Sequence, residues 1–168
     1  NLRQSWPTAE WVRANPVDRL LDLFIPRAEA AMEAGLTPIL SPLEPGGDYW
    51  DTVFLKAALQ GMILRGHAPL AKNISIAAYG RDHPDNPAWG QGGPERWRDA
   101  HPYKTPANSQ DQRGFHIASW YLASAEEILG LRPQVFLMRV NVSTFISQYK
   151  FLPAEVPVCS FWILSADQ

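Results

Sequence analysis

Apolar positions fall into a regular alternation along the chain. Over 17–36 the residues Leu20, Leu21, Phe24, Ala28, Ala31 and Met32 recur at steps of three and four, the spacing of one helical face, and Gly35 closes the run. Pro26 falls inside this stretch and must either open a second helix at its first turn or kink a single one. The short apolar run 37–43 predicts a strand. After the loop EPGGDYWD, the residues Phe54, Leu55, Ala58, Leu59 and Met62 share one face of a helix predicted over 53–65. A buried strand is expected at 73–79 (NISIAAY), a helix at 114–129, a strand at 134–140 (QVFLMRV), a short helix at 143–152 capped by Ser143, and a strand at 156–164 (VPVCSFWIL). Continuous apolar strands alternating with amphipathic helices define an α/β protein of parallel β/α units with right-handed crossovers. No repeat or boundary interrupts the pattern, so 1–168 is expected to form a single domain.

Length sharpens this picture. The 168 residues fall short of the roughly 200 or more that a closed eight-stranded β/α barrel needs. The chain begins at Asn1 with neither a Met nor a signal-type segment, which fits a fragment of a longer chain. Net charge is −2 with a pI near 6.1, so no basic field exists to hold a nucleic-acid backbone. Apolar runs are broken by proline or glutamate before the roughly 20 residues that span a bilayer, and no membrane span is expected. A single cysteine, Cys159, excludes an internal disulfide and a multi-cysteine metal site. Cysteine usage leaves the compartment open, an extracellular or cell-surface location included.

In parallel β/α sheets the functional groups come from the carboxyl ends of the strands and the loops that follow. Those ends carry Glu44, Asp48, Tyr49, Trp50 and Asp51, then Tyr79, Arg81, Asp82 and His83, then Arg139 and Asn141, then Trp162, Ser165 and Asp167. The segment 80–112 has loop composition throughout, a length that is usually functional, and its tryptophans Trp89 and Trp97 argue for order. Aromatic faces mixed with charged side chains suit a carbohydrate cleft, because rings stack on sugar C–H surfaces while charged groups bind hydroxyls. The same aromatics would also serve as a local core for the loop. Glycoside hydrolysis requires two carboxyl groups about 5 to 10 Å apart, and Glu44 is the acid nearest a strand end. It could instead bond the backbone of Gly46 and Gly47. His67, His83, His101 and His116 lack ligand spacing, so no metal is expected. Gly46 and Gly47 are followed by neither GK[ST] nor GxGxxG, Ser41 and Ser160 lack a G-x-S-x-G context, and no cofactor is indicated.

The strings LEPGGDYWDTVFLKAALQGM, ISIAAYGRDHP, WGQGGPERWRDAHPY, SQDQRGF and CSFWILSAD resemble the second half of bacterial (β/α)8-barrel proteins related to the glycoside hydrolases of the large retaining clan. The most specific part is the WGxGGPERW pattern; the remainder is generic barrel. The resemblance implies that the four strands are the fifth to eighth of a TIM-type barrel, and that the half bearing the acid/base glutamate lies elsewhere, on the same native chain or on a second copy. It implies a protein that recognises or hydrolyses a polysaccharide; within this chain the strand-end and loop positions make Glu44 the candidate acid and Asp48, Trp50, Tyr79, His83, Trp89, Trp97, Arg139 and Trp162 the candidate cleft residues. At the seventh-strand end, where that clan keeps its nucleophile, this sequence has Met138-Arg139-Val140-Asn141 and no carboxylate. The alternative is therefore a non-catalytic carbohydrate or cell-surface binding module. A further alternative is an open, doubly wound sheet acting on an unrelated small molecule.

Overall fold

The computed structural model describes residues 15–47, 49–84, 86–157 and the backbone of 159–161. Helix α1 (Pro16–Glu33) starts with Asn15, whose side chain accepts a hydrogen bond from the Val17 backbone N–H, and with Pro16 in the first turn, where a missing N–H costs nothing. Pro26 neither divides nor ends this helix. It lies on the exposed side, where water can take the carbonyl its ring leaves unpaired. Gly35, at φ 75°, closes α1 with backbone bonds from Gly35 to Met32 and from Leu36 to Ala31, the paired pattern of a glycine-terminated helix.

Strand β1 (Ile39–Leu43), helix α2 (Asp51–Leu64), the short helix α3 (Ala68–Asn73) and strand β2 (Ser75–Tyr79) follow. A long connection carrying the single-turn helix α4 (Gly93–Arg96) leads to α5 (Ile117–Leu129), β3 (Val135–Val140), α6 (Val142–Gln148), a 3₁₀ turn and β4 (Cys159–Phe161). The helix expected from 114 begins three residues later, at Ile117. Asn141, not Ser143, caps α6: its carboxamide oxygen accepts from both the backbone N–H and the hydroxyl of Ser143.

All four strands are parallel and lie in the order β1-β2-β3-β4. Sequential order with right-handed crossovers places the helices on one face of the sheet. The expected parallel β/α units are therefore present, and the described strands show none of the order reversal that defines a doubly wound sheet. Leu40, Ile76, Ala78, Val135 and Leu137 point toward the helices and join Leu21, Leu55, Leu59, Met62, Tyr121 and Leu122 in one core. Helix α2 packs between α1 and α5. Its Gly61 permits the close approach to α1, since a Cβ there would meet Leu21 Cδ1 at 2.6 Å. The other sheet face presents Ile39, Ala77, Tyr79, Phe136 and Met138, paired across the register, with Ile39 45% exposed.

Leu59 is fully buried in the middle of this helix layer. Leu59→Ala is expected to lower unfolding free energy by about 3 kcal/mol, the sum of lost burial and the cavity left behind. Urea unfolding followed by circular dichroism measures this; a loss under about 1 kcal/mol would mean that the layer is not packed as described.

Candidate functional site

The carboxyl ends of β1, β2 and β3 bring together three of the residues singled out from sequence. Glu44 follows β1, Tyr79 ends β2 and Arg139 lies near the end of β3. Arg81 completes the group: its two terminal nitrogens donate to the two Glu44 carboxylate oxygens at 2.5 and 3.1 Å, and its guanidinium lies 4.9 Å from the centre of the Tyr79 ring. The Arg139 guanidinium lies 5.6 Å from the same ring. Arg139 has φ 58°, an unusual value for a non-glycine residue, where the pairing of β3 with β4 shifts register. Such a kink at a strand end re-aims a side chain and must be held by its surroundings.

Beyond β2 the His83 and Trp89 rings stack, with centres 3.9 Å apart and planes within 5°. Trp89 is fixed from below. Its indole N–H donates to Asp111 Oδ1 at 3.0 Å, and Asp111 also accepts from the Thr105 hydroxyl at 2.7 Å, the Arg113 backbone at 3.0 Å and the Arg113 guanidinium at 2.8 and 2.6 Å. Burial alone would raise the pKa of this fully enclosed carboxyl, but the donors from Arg113, Thr105 and Trp89 together outweigh it and bring it down to about 2. The Arg113 stem also lies over Gly46, where a Cβ would meet its Cδ at 2.6 Å, so the long connection is clamped onto the β1 loop.

Two residues expected to line the cleft are placed otherwise. Trp50 is only 9% exposed: its backbone N–H donates to the Tyr103 hydroxyl at 3.0 Å and its ring packs against Tyr103 at 5.5 Å, so it belongs to the core of the loop. Trp97 donates to the Gln91 carbonyl at 2.9 Å and packs with Arg96, within its own loop turn. Asp48 and Trp162 lie outside the described residues.

A buried polar cluster sits behind this edge, at the first turn of α2. Gln112 Nε2 donates to Asp51 Oδ1 at 2.5 Å, while Asp51 Oδ2, Gln112 Oε1 and the Tyr121 hydroxyl complete no hydrogen bond of good geometry among the described residues. Burial pushes the Asp51 carboxyl up to about 6, against the opposing hydrogen bonds of Gln112 and Tyr121. The Tyr121 hydroxyl is raised as well, first by burial and then by the charge of Asp51. His116, buried and bonded to Gln148, has its pKa lowered by burial. Sequence inspection passed over Asp111, Gln112 and Arg113. Their signal was the polar string SQDQRGF standing directly before an apolar helix.

The fold and site together define a parallel β/α protein with a charged and aromatic strand-end edge. Compared with protein-family models, with curated proteins and with solved structures, the chain matches none.

The two carboxyls give opposite pH dependences. The Asp51 pKa is higher folded than unfolded, so its contribution to stability is full below about pH 4 and is lost as pH rises through about 6. The Asp111 pKa is lower folded than unfolded, so its contribution is present above about pH 4 and lost as pH falls toward 2. Two pH units correspond to about 3 kcal/mol for Asp51. Asp51→Asn is expected to abolish the stability decline between pH 4 and 6 in denaturant titrations across that range; a decline unchanged in the variant would assign it to other groups.

Proposed function

We propose that this chain is one half of a glycoside-hydrolase-like β/α barrel, and that its strand-end edge binds a polysaccharide. The observation that carries the proposal is the gathering of the Arg81 and Arg139 guanidiniums at the Tyr79 ring, with Glu44 paired to Arg81, at the ends of three adjacent parallel strands. That is the edge where β/α proteins bind ligands. The stacked His83 and Trp89 add an aromatic platform in the loop that follows β2.

Binding without cleavage is the better supported form of this function. Both Glu44 oxygens are taken up by Arg81, and the end of β3 offers Arg139 where a nucleophilic carboxylate would stand. Hydrolysis would need Glu44 released from Arg81 and a second carboxyl from the complementary half. Support for such a half comes from the sheet face opposite the helices, whose Ile39, Phe136 and Met138 are incompletely covered, whereas parallel sheets are ordinarily buried on both faces. The complementary strands would come from the same native chain or from a second copy.

Affinity electrophoresis against a panel of soluble polysaccharides tests the function. At least one is expected to retard the protein, and Arg139→Ala is expected to weaken that interaction about tenfold, through loss of a charged contact on the edge. Release of reducing ends would establish the hydrolytic form. Retardation by none of the panel, or retardation indifferent to Arg139→Ala, would contradict the assignment of this edge.

A further inference from the structure

A recess lies between α2 and α5, beneath the long connection. Thr52 and Lys56 of α2 form one wall, Trp120, Ser124 and Glu127 of α5 the other, and the long connection closes it with Arg98 and His101. Its volume is about 290 Å³, at the small end of ligand sites and enough for one ring with its substituents.

The chemistry of the lining is uneven. Trp50 and Trp120 supply apolar surface, both ring systems being fixed: Trp120 donates its indole N–H to the Gly90 carbonyl at 3.1 Å, and Trp50 is held by Tyr103. The acids of the recess are already engaged. Asp111 is consumed by its donors, and Glu127 accepts from Lys56 Nζ at 2.5 Å. Arg98 is not consumed in the same way. Its Nε donates to the Glu95 carbonyl at 3.1 Å, and its two terminal nitrogens have no partner among the described residues. Arg98 and His101 both stand exposed at the rim. The uncommitted charge at this recess is positive although the chain as a whole carries −2, and Trp50, Trp120, Pro94, Pro102 and Ala123 give the otherwise polar lining its apolar surface.

We propose that this recess is a second binding site, for a ring-bearing carboxylate of single-sugar size. The ring lies against the tryptophan-lined wall while the carboxylate meets the terminal nitrogens of Arg98, a geometry that a planar guanidinium fork favours. The Lys56–Glu127 pair limits affinity, because Glu127 both neutralises Lys56 and repels the incoming anion. The site shares no side chain with the Glu44, Arg81, Tyr79 and Arg139 group, so it stands or falls independently of polysaccharide binding there.

The test is isothermal titration calorimetry of the full chain at low salt with glucuronate, benzoate, glucose and acetate. Glucuronate or benzoate is expected to saturate the protein with one site, and which of them does so separates a sugar acid from an aromatic acid as the source. Glucose and acetate, each lacking one of the two features, are expected to bind at least about tenfold more weakly. Arg98→Gln, at an exposed position, is expected to weaken binding about fivefold, and Glu127→Gln to tighten it by a similar factor by releasing Lys56. A gain of affinity in Glu127→Gln cannot come from misfolding, and melting curves of Arg98→Gln check its fold. No saturation by either ring acid, glucose binding as tightly as glucuronate, or affinity unmoved in both variants would overturn the proposal.

Discussion

A carboxylate without access to water must find donors inside the protein, and the long connection between β2 and α5 is built around one that does. Asp111 is fully buried and accepts five hydrogen bonds, from Trp89, Thr105 and the backbone and side chain of Arg113. Those donors come from three stretches of a segment in which the regular structure is one helical turn. Without the carboxylate, the Trp89 indole and the Arg113 guanidinium would each lose their anchor. The His83–Trp89 stack and the clamp of Arg113 over the β1 loop would lose their support with them.

Asp51 shows the same physics with the opposite outcome. It is equally removed from water but has one short bond from Gln112 and no cation bonded to it, so burial wins and its proton is held to about pH 6. Donor strength distinguishes the two aspartates: Asp111 has five well-formed hydrogen bonds, including a guanidinium fork, whereas Asp51 has one of good geometry, from Gln112, with weaker help from Tyr121 and the backbone. Two neighbouring residues of one loop, Asp111 and Gln112, thus link the connection both to Arg113 and to the first turn of α2. Two non-glycine residues hold a strained left-handed backbone: Tyr103 at φ 64°, whose hydroxyl accepts from the Trp50 backbone N–H, and Arg139 at φ 58° at the kink of β3.

The long helices and the strands β1 to β3 were legible because each buries one periodic face or a short apolar run, a property that local spacing carries. Helix α3 was missed because six residues opening with Ala68-Pro69 are too few to show a period. The cap of α6 was misplaced by two residues because Asn141 and Ser143 are both good caps, and only the backbone geometry chooses Asn141. Tyr79 and Arg139 could be placed at strand ends from sequence alone, since that follows from where strands stop. Which carboxylates are buried could not, because the enclosure of Asp51 involves distant residues such as Gln112, 61 positions along the chain. Trp50 and Trp97, indistinguishable from Trp89 by sequence, turned out to hold the loop together, Trp50 through Tyr103, 53 positions away, and Trp97 through the nearby Gln91 carbonyl.

One buried carboxylate orders the connection that carries Trp89, while the sheet and helices stand without it. Hydrogen exchange read by mass spectrometry on the intact protein and on Asp111→Ala tests this most directly. Amide protection over 88–114 is expected to collapse in the variant while β2, β3 and α2 keep theirs. Protection over 88–114 equal in the two proteins would contradict it, and would mean that the connection is ordered by its aromatic packing alone.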